Sequence, residues 1–387
     1  MQRALLAVAG IVFAGFGALA EAQTPVTPPP PHVVMALAQH LVKAPDNRAL
    51  RFRYAQASYQ TGRHDAAKYH LRVLMRSSDD PAELGQLRKA YGTVLAASPW
   101  SFSLNLSLLP STNVNKVSSN TTFDTLLGQF MIVNGGQEES GIGLRLGGRL
   151  AYATMLDNGL ALTFSLAANR NWYPTERFRR YDGEASATLG WQTVAGNTEA
   201  NPYVTRSFYD TEKTSNATRY GIRLSHEHYL SGRASLTGAF TAEYRDYDQA
   251  DYLDGGFFRG ELSYQGVIAD RYKLNIAARA EHSMPERDYL SYTGASLSGE
   301  ISGSLGTIGT LGLSADFGLR QYEGVFPALT EARRDRFGGV GVSFSSPHLK
   351  IWEMTPKLSC RYGQTWSNVA LYEYQSTDCA ISFERKF

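Results

Sequence analysis

A few sets of residues have the types and spacing from which a reactive site is built. His226-Glu227-His228 places two imidazoles on one face of a strand, which is part of a metal site. No third ligand accompanies them, so they read as surface or lumen histidines and no metal is expected. Cys360 and Cys379 lie symmetrically about the stretch near Val369-Ala370, so an antiparallel hairpin sets them opposite one another. They read either as a cross-strand disulfide in an oxidising compartment or as two small apolar side chains against lipid. Neither reading implies redox catalysis. The chain has no nucleophile elbow, phosphate loop or Cys-x-x-Cys pair. No enzymatic activity and no cofactor are expected, and nucleic acid is not an expected partner.

Strands must position these residues. In the last segment Cys379, Ile381, Phe383 and Phe387 form one row, broken by Arg385, while Ala380, Ser382, Glu384 and Lys386 form the other. A period of two marks a strand. A soluble edge strand ending in an aromatic residue invites aggregation, whereas a lipid-facing strand that closes a barrel does not. Phe383 and Phe387 are therefore the expected barrel-assembly terminus.

The same alternation begins after Pro99 and recurs to the end, in about 14 segments, an even number as bacterial barrels require. The connections sort by parity. Asp157-Asn158-Gly159, Ser231-Gly232 and Ala269-Asp270 are tight turns expected on the periplasmic side. Pro110–Glu139, Asp248–Leu253, Glu323–Glu331 and Ser367–Ser376 are mostly longer and expected outside. Arginine on a lipid face costs roughly 2–4 kcal/mol at the midplane. Arg145, Arg149, Arg223, Arg259 and Arg279 are therefore expected to face the lumen, with Glu243, Glu261, Glu281 and Asp316 as counter-charges. The predicted fold class is mainly β: a transmembrane antiparallel barrel at 98–387, preceded by a small helical domain.

Composition agrees with that class. Of 387 residues only 19% are charged and 12% are aromatic, with 22 Tyr and 36 Gly. Mean hydropathy is −0.28, which leaves no room for a bundle of membrane-spanning helices. Residues 1–22 read as a signal peptide: Arg3, an apolar run from Ala4 to Ala20, then Ala20-Glu21-Ala22 as the cleavage site. Residues 23–32 form a Pro-rich linker.

Residues 33–97 carry helical periodicity, with breaks at Pro45-Asp46-Asn47, Gly62 and Asp80-Pro81. The middle pair of helices is similar to a tetratricopeptide repeat. Ala55, Gly62 and Ala67 supply its small positions and Leu71 and Leu74 its core, though Ser58 stands where an aromatic is usual. Residues 23–97 hold ten Lys/Arg against five Asp/Glu, a net +5 in a chain of net +2. That excess is either an ordinary solvated surface or a docking face for an acidic partner.

Signal peptide, tetratricopeptide-like domain and barrel together resemble the surface lipoprotein assembly modulators of Gram-negative bacteria. Two local motifs carry the resemblance further. Asn113-Val114-Asn115 after the first strand looks like that family's Asn-Val-Asn loop. Ser367-Asn368-Val369-Ala370-Leu371-Tyr372-Glu373-Tyr374, ahead of the strand ending in Phe387, looks like its closing signature. The helical domain is shorter than is usual there. The resemblance implies an outer-membrane translocon that delivers lipoproteins, or secreted haem- or metal-binding proteins, to the cell surface. Its implied partners are that cargo, outer-membrane lipid, the barrel-assembly machinery and periplasmic chaperones, with the helical domain in the periplasm. A passive porin with a helical appendage is the alternative.

Overall fold

The computed structural model describes residues 28–131, 138–269, 271–327, 329–351 and 354–387. The expected signal peptide and the start of the expected linker lie outside them. Among the described residues no helix is long and apolar enough to cross a membrane.

Four helices form where caps and breaks allow: α1 (Pro31–Lys43), α2 (Arg48–Gln60), α3 (His64–Arg76) and α4 (Pro81–Ala97). The Asn47 side chain accepts from the Leu50 N–H at 3.0 Å. Asp80 accepts from the Ala82 N–H at 2.9 Å, with Pro81 in the first turn. α2 stops at Gly62, where φ is +73°, and the Arg63 N–H reaches back to the Ser58 carbonyl at 2.8 Å. Glycine takes that left-handed stop without strain. Ala55 and Ala67 are buried where α2 and α3 close on one another. Phe52, Leu71, Leu74, Leu84, Leu87 and Val94 complete this core. Arg48 grips both oxygens of Glu83 at 2.7 and 2.8 Å, tying α2 to α4. The helices, Tyr152–Thr163 and Gly190–Asn197 make one compact unit, and the rest of the barrel makes the other.

His70 on α3 lies edge-on to the Tyr54 and Tyr69 rings, 4.9 Å from each. Arg51 Nη1 stands 3.1 Å from its Nδ1. Burial, and then the Arg51 charge, hold its pKa down at about 4 against an ordinary 6.5. Between those values the unfolded chain binds more protons than the folded one. Stability contributed here is therefore full above 6.5 and is lost as pH falls towards about 4. The melting temperature of the 222 nm helical signal should fall over that window. His70→Gln should flatten the difference; a variant that tracks the wild type would contradict this account.

The barrel strands are β1 (Trp100–Ser111), β4 (Gly141–Met155), β5 (Ala161–Trp172), β6 (Arg180–Gln192), β7 (Gly196–Tyr209), β8 (Ala217–Ser231), β9 (Ala234–Tyr247), β10 (Gly255–Ile268), β11 (Tyr272–Pro285), β12 (Tyr292–Ser304), β13 (Thr310–Val325), β14 (Ala332–Ser345), β15 (Lys357–Ser367) and β16 (Tyr374–Lys386). Each pairs with its sequence neighbour, and β1 pairs with β16, so the sheet closes as a 14-stranded antiparallel barrel. Closure leaves the barrel sheet without an unpaired edge strand. Rows such as Leu313 and Phe317 turn outward and are exposed. The alternate rows are polar.

The structure differs from the sequence pattern at three places. The pattern ends the first strand before Pro110, because proline cannot donate to a ladder. β1 nevertheless continues through Pro110 to Ser111. The last strand begins at Tyr374, ahead of the apolar alternation, because Tyr374 and Gln375 already pair with Thr365 and Gln364. The connection from 112 to 140 contains a hairpin, β2 (Thr122–Thr125) and β3 (Gly128–Met131), too short to register as a period.

At the tight-turn end Gly159 takes φ +82°, and the Leu156 N–H bonds to the Leu160 carbonyl at 2.8 Å. At the other end, successive connections contain 3₁₀ turns beginning at Glu176, Lys213, Asp251 and Asp288, and a further one at Ala370–Tyr372. These connections lace together around the rim. The Asp210, Asp248, Glu286 and Glu323 N–H groups donate to the carbonyls of Arg179, Asn216, Asp254 and Ser291 of the preceding connection. Local hydrogen bonds, rather than length, set this end of the barrel.

Candidate functional site

The two motif loops are far apart in sequence, and the closing register of the barrel brings them together. Ser111 at the end of β1 stands opposite Asp378 on β16. Asn113 follows and is fully buried. Its Nδ2 donates to the Val117 carbonyl at 2.9 Å and to the Gln375 carbonyl at 3.1 Å, and its Oδ1 accepts from the Val117 N–H at 3.2 Å. One side chain thus shapes its own loop and anchors it to the last strand. Asparagine suits this, since its amide offers donors and an acceptor together.

Neighbouring residues extend the anchor. Lys116 takes a left-handed φ of +52°, and its Nζ bonds both oxygens of Asp378, one at 2.6 Å. Ser111 and Ser376 also donate to that carboxylate, at 2.6 and 3.0 Å. Asn115 accepts from the Glu139 N–H at 3.1 Å, and the Val114 N–H donates to the Glu139 carbonyl at 2.7 Å, which ties the far end of the connection. Asn120 Nδ2 donates to the Ala370 carbonyl at 3.3 Å, so the first loop touches the second directly.

The second loop is pinned to β14. Asn368 Nδ2 donates to the Ala332 carbonyl at 3.0 Å, and its Oδ1 accepts from the Arg334 N–H at 2.6 Å. Ser367 Oγ accepts from the Val369 N–H at 3.1 Å, and Val369 is buried. The Arg333 guanidinium lies 3.3 Å from the centre of the Tyr372 ring and bonds the buried Asp335 at 2.6 and 2.9 Å. Tyr372 also meets Phe326 edge-on at 5.7 Å. Tyr374 starts β16 opposite Thr365. The motif residues Asn113, Asn115, Asn368 and Tyr372 are thus committed to contacts within the chain.

The strand-borne charges share the face opposite the apolar rows, and most are held in pairs. Arg149 meets Glu184 at 3.2 Å. Glu261 sits between Arg279 at 2.7 Å and Arg223 at 3.6 Å. Glu281 sits between Arg259 at 3.0 Å and Arg320 at 3.1 Å. Glu243 takes Arg245 at 2.8 Å and the Tyr203 hydroxyl at 2.9 Å. Asp316 takes Arg361 at 2.9 and 2.7 Å. Arg145 instead donates to Asn171 at 2.7 Å. Gly339 and Gly363 let the Arg361 guanidinium lie flat on the wall, since a Cβ at either would come within 2.3 Å of it. The result is a polar wall on which arginines outnumber the carboxylates that hold them, with the charges fixed in place by their partners.

Cys360 and Cys379 are directly opposite and disulfide-bonded. Phe383 is buried and opposes Leu106, while the Phe387 ring lies 5.8 Å from Phe102. His226 bonds Thr198 Oγ1 at 2.8 Å and its ring stacks with His228 at 6.4 Å. Among the described residues no group of three potential ligands could hold a metal ion. Lys116, Asp378 and Arg333 carry much of the loop site and were not singled out by sequence. Lys116 and Asp378 meet only through barrel closure. Arg333 and Tyr372 show no spacing signal.

Comparison with known proteins gives a consistent family. The family model described as surface lipoprotein assembly modifier matches residues 100–387. Surface lipoprotein assembly modifier 2 of Neisseria meningitidis serogroup B is 25% identical over 322 residues, covering 74% of this chain and 63% of that protein. The chain therefore spans less than two thirds of that relative's length. Among solved structures, Acinetobacter baumannii OccAB4 aligns with TM-score 0.39 and 8% identity, over 75% of this chain and 99% of its own. A Pseudomonas aeruginosa FadL homologue aligns with TM-score 0.39 and 10% identity, over 81% and 95%.

Proposed function

Because this chain belongs to the surface lipoprotein assembly modifier family, we propose that it is an outer-membrane translocon that moves lipoproteins from the periplasm to the cell surface. The observation that carries this reading is the joining of the Asn113 and Asn368 loops over a closed barrel whose inner wall is polar. Secreted haem- or metal-binding proteins are a second cargo class. The tight-turn end and the tetratricopeptide-like helices face the periplasm in this reading, and the basic helical surface recruits cargo or a chaperone. Assembly by the barrel-assembly machinery uses the terminal strand with Phe383 and Phe387.

The residues suggest how passage works. Arg223 and Arg279 share Glu261, Arg259 and Arg320 share Glu281, and Arg361 pairs with Asp316, so an unfolded chain meets a wet wall whose paired charges leave a modest positive excess. Nothing in the family or fold calls for catalysis. With no nucleotide-binding motif in the sequence, folding of the cargo outside supplies direction. At the outer end Asn113 ties the first loop to β16, the Arg333–Tyr372 contact ties the second to β14, and Asn120 joins the two at the Ala370 carbonyl.

A photo-crosslinking residue at Ser314, on the inner wall of β13, tests the reading. With an epitope-tagged lipoprotein co-expressed, it should capture that lipoprotein in transit, while the same residue at outward-facing Leu313 should not. Equal capture, or none at either place, would count against translocation. A passive channel is the competing reading, favoured by the closed polar-walled barrel itself. Steady conductance in planar bilayers without any cargo would support it.

A further inference from the structure

The joint between β1 and β16 is unlike the joint on the other side of β16. Pairing runs from Ser103 opposite Lys386 to Leu108 opposite Ile381, then skips to Ser111 opposite Asp378. Phe102 and Phe387 exchange N–H···O bonds at 3.2 and 2.8 Å, and the Thr112 N–H donates to the Thr377 carbonyl at 3.1 Å. An antiparallel ladder alternates, so the even-numbered residues of β1 send their N–H groups to β16. Pro110 falls in that set, opposite Cys379, and has no N–H to send. The other edge of β16 pairs without interruption from Lys357 opposite Ser382 to Thr365 opposite Tyr374. It is also covalently fastened there, through the same Cys379, to Cys360.

Two more observations lie at the same place. A cavity of about 310 Å³ runs along β13 to β16, lined by Ser314, Gly341, Ser359, Asp378 and Ala380, and reaches the joint at Leu109 of β1. Its wall mixes small side chains with Glu300, Lys357 and Arg361, so the space beside β16 is polar. Above the gap, Lys116 and Ser111 close on Asp378 like a latch.

We infer that the β1–β16 joint is a lateral exit from the lumen, in which β1 moves away while the disulfide keeps β16 on β15. The chemistry it suits is an extended polypeptide carrying an acyl chain, whose lipid must reach the membrane while its backbone stays in the polar lumen. The identity of that passenger rests on the delivery reading above; the mobility of the joint does not.

Residue-resolved hydrogen exchange on the full chain in detergent micelles tests the joint alone. The Cys379 and Ile381 amides face β1, and the Ala380 and Ser382 amides face β15. The first pair should exchange roughly three- to ten-fold faster, the effect of about one hydrogen bond in local opening. Pro110→Thr, which restores a donor, should shrink that difference. Equal exchange of the two sets would overturn the inference.

A bridge then tests the exit. Ser107 Oγ lies 3.0 Å from Ser382 Oγ across the joint, so Ser107→Cys with Ser382→Cys should lock it. Ser165→Cys with Ser186→Cys is a matched control on β5 and β6, with Oγ atoms 2.8 Å apart. The bridged joint should lower surface display of a co-expressed, epitope-tagged lipoprotein by about tenfold or more, as expected for removing a required open state. The control bridge and either single cysteine should leave display unchanged. Full display from a fully bridged joint, or equal loss from the control, would overturn the exit. If the wild-type chain displays no lipoprotein, the delivery reading fails, and exchange alone decides whether the joint opens.

Discussion

Asn113→Ala should destabilise the closed barrel by about 2–4 kcal/mol, because it strips the partners from two backbone groups of its own loop and one of β16. The side chain is fully buried, and it bonds the Val117 N–H and carbonyl and the Gln375 carbonyl. Water cannot readily replace bonds at such a site. Urea titration of the protein folded into vesicles should show a lower midpoint with an unchanged slope. Asn113→Asp should also weaken it, since a carboxylate keeps the acceptor but loses the donor to Gln375 and Val117. If Asn113→Ala unfolds like the wild type and abolishes delivery, the residue acts on cargo and not on closure.

An arginine on the outer wall should be costly, while one on the inner wall should not. Ala315 lies at the middle of the outward row Leu311, Leu313, Ala315, Phe317 and Leu319 on β13. Ala315→Arg should cost about 2–4 kcal/mol if that row faces acyl chains. Ser314→Arg, one residue away but facing the polar interior, should cost well under half as much. The same vesicle titration reads both. Similar costs for the two variants would mean that the outward row does not contact lipid.

Much of the barrel was legible because period two needs only local sequence. The Cys360 and Cys379 pairing was half legible, since symmetry about a hairpin places the residues opposite one another but does not make the bond. The inward placement of Arg223 and Glu261 follows from parity. Their meeting across an intervening strand does not, because it depends on stagger and curvature. Pro110 misleads for a physical reason: a missing donor usually ends a strand, and here the strand continues past the gap. The site itself was the least legible part. Asn113 contacts Gln375, and Lys116 contacts Asp378, only once β1 has paired with β16, and no local pattern encodes that register. Each loop motif was visible alone. That they form one structure was not.

The most direct measurement is protease shaving of intact cells that co-express an epitope-tagged lipoprotein, with and without this chain. With the chain present, the lipoprotein should be cleaved while periplasmic markers survive. Without it, the lipoprotein should be protected. Equal cleavage in both, with the barrel shown to be folded in the membrane, would contradict delivery to the surface.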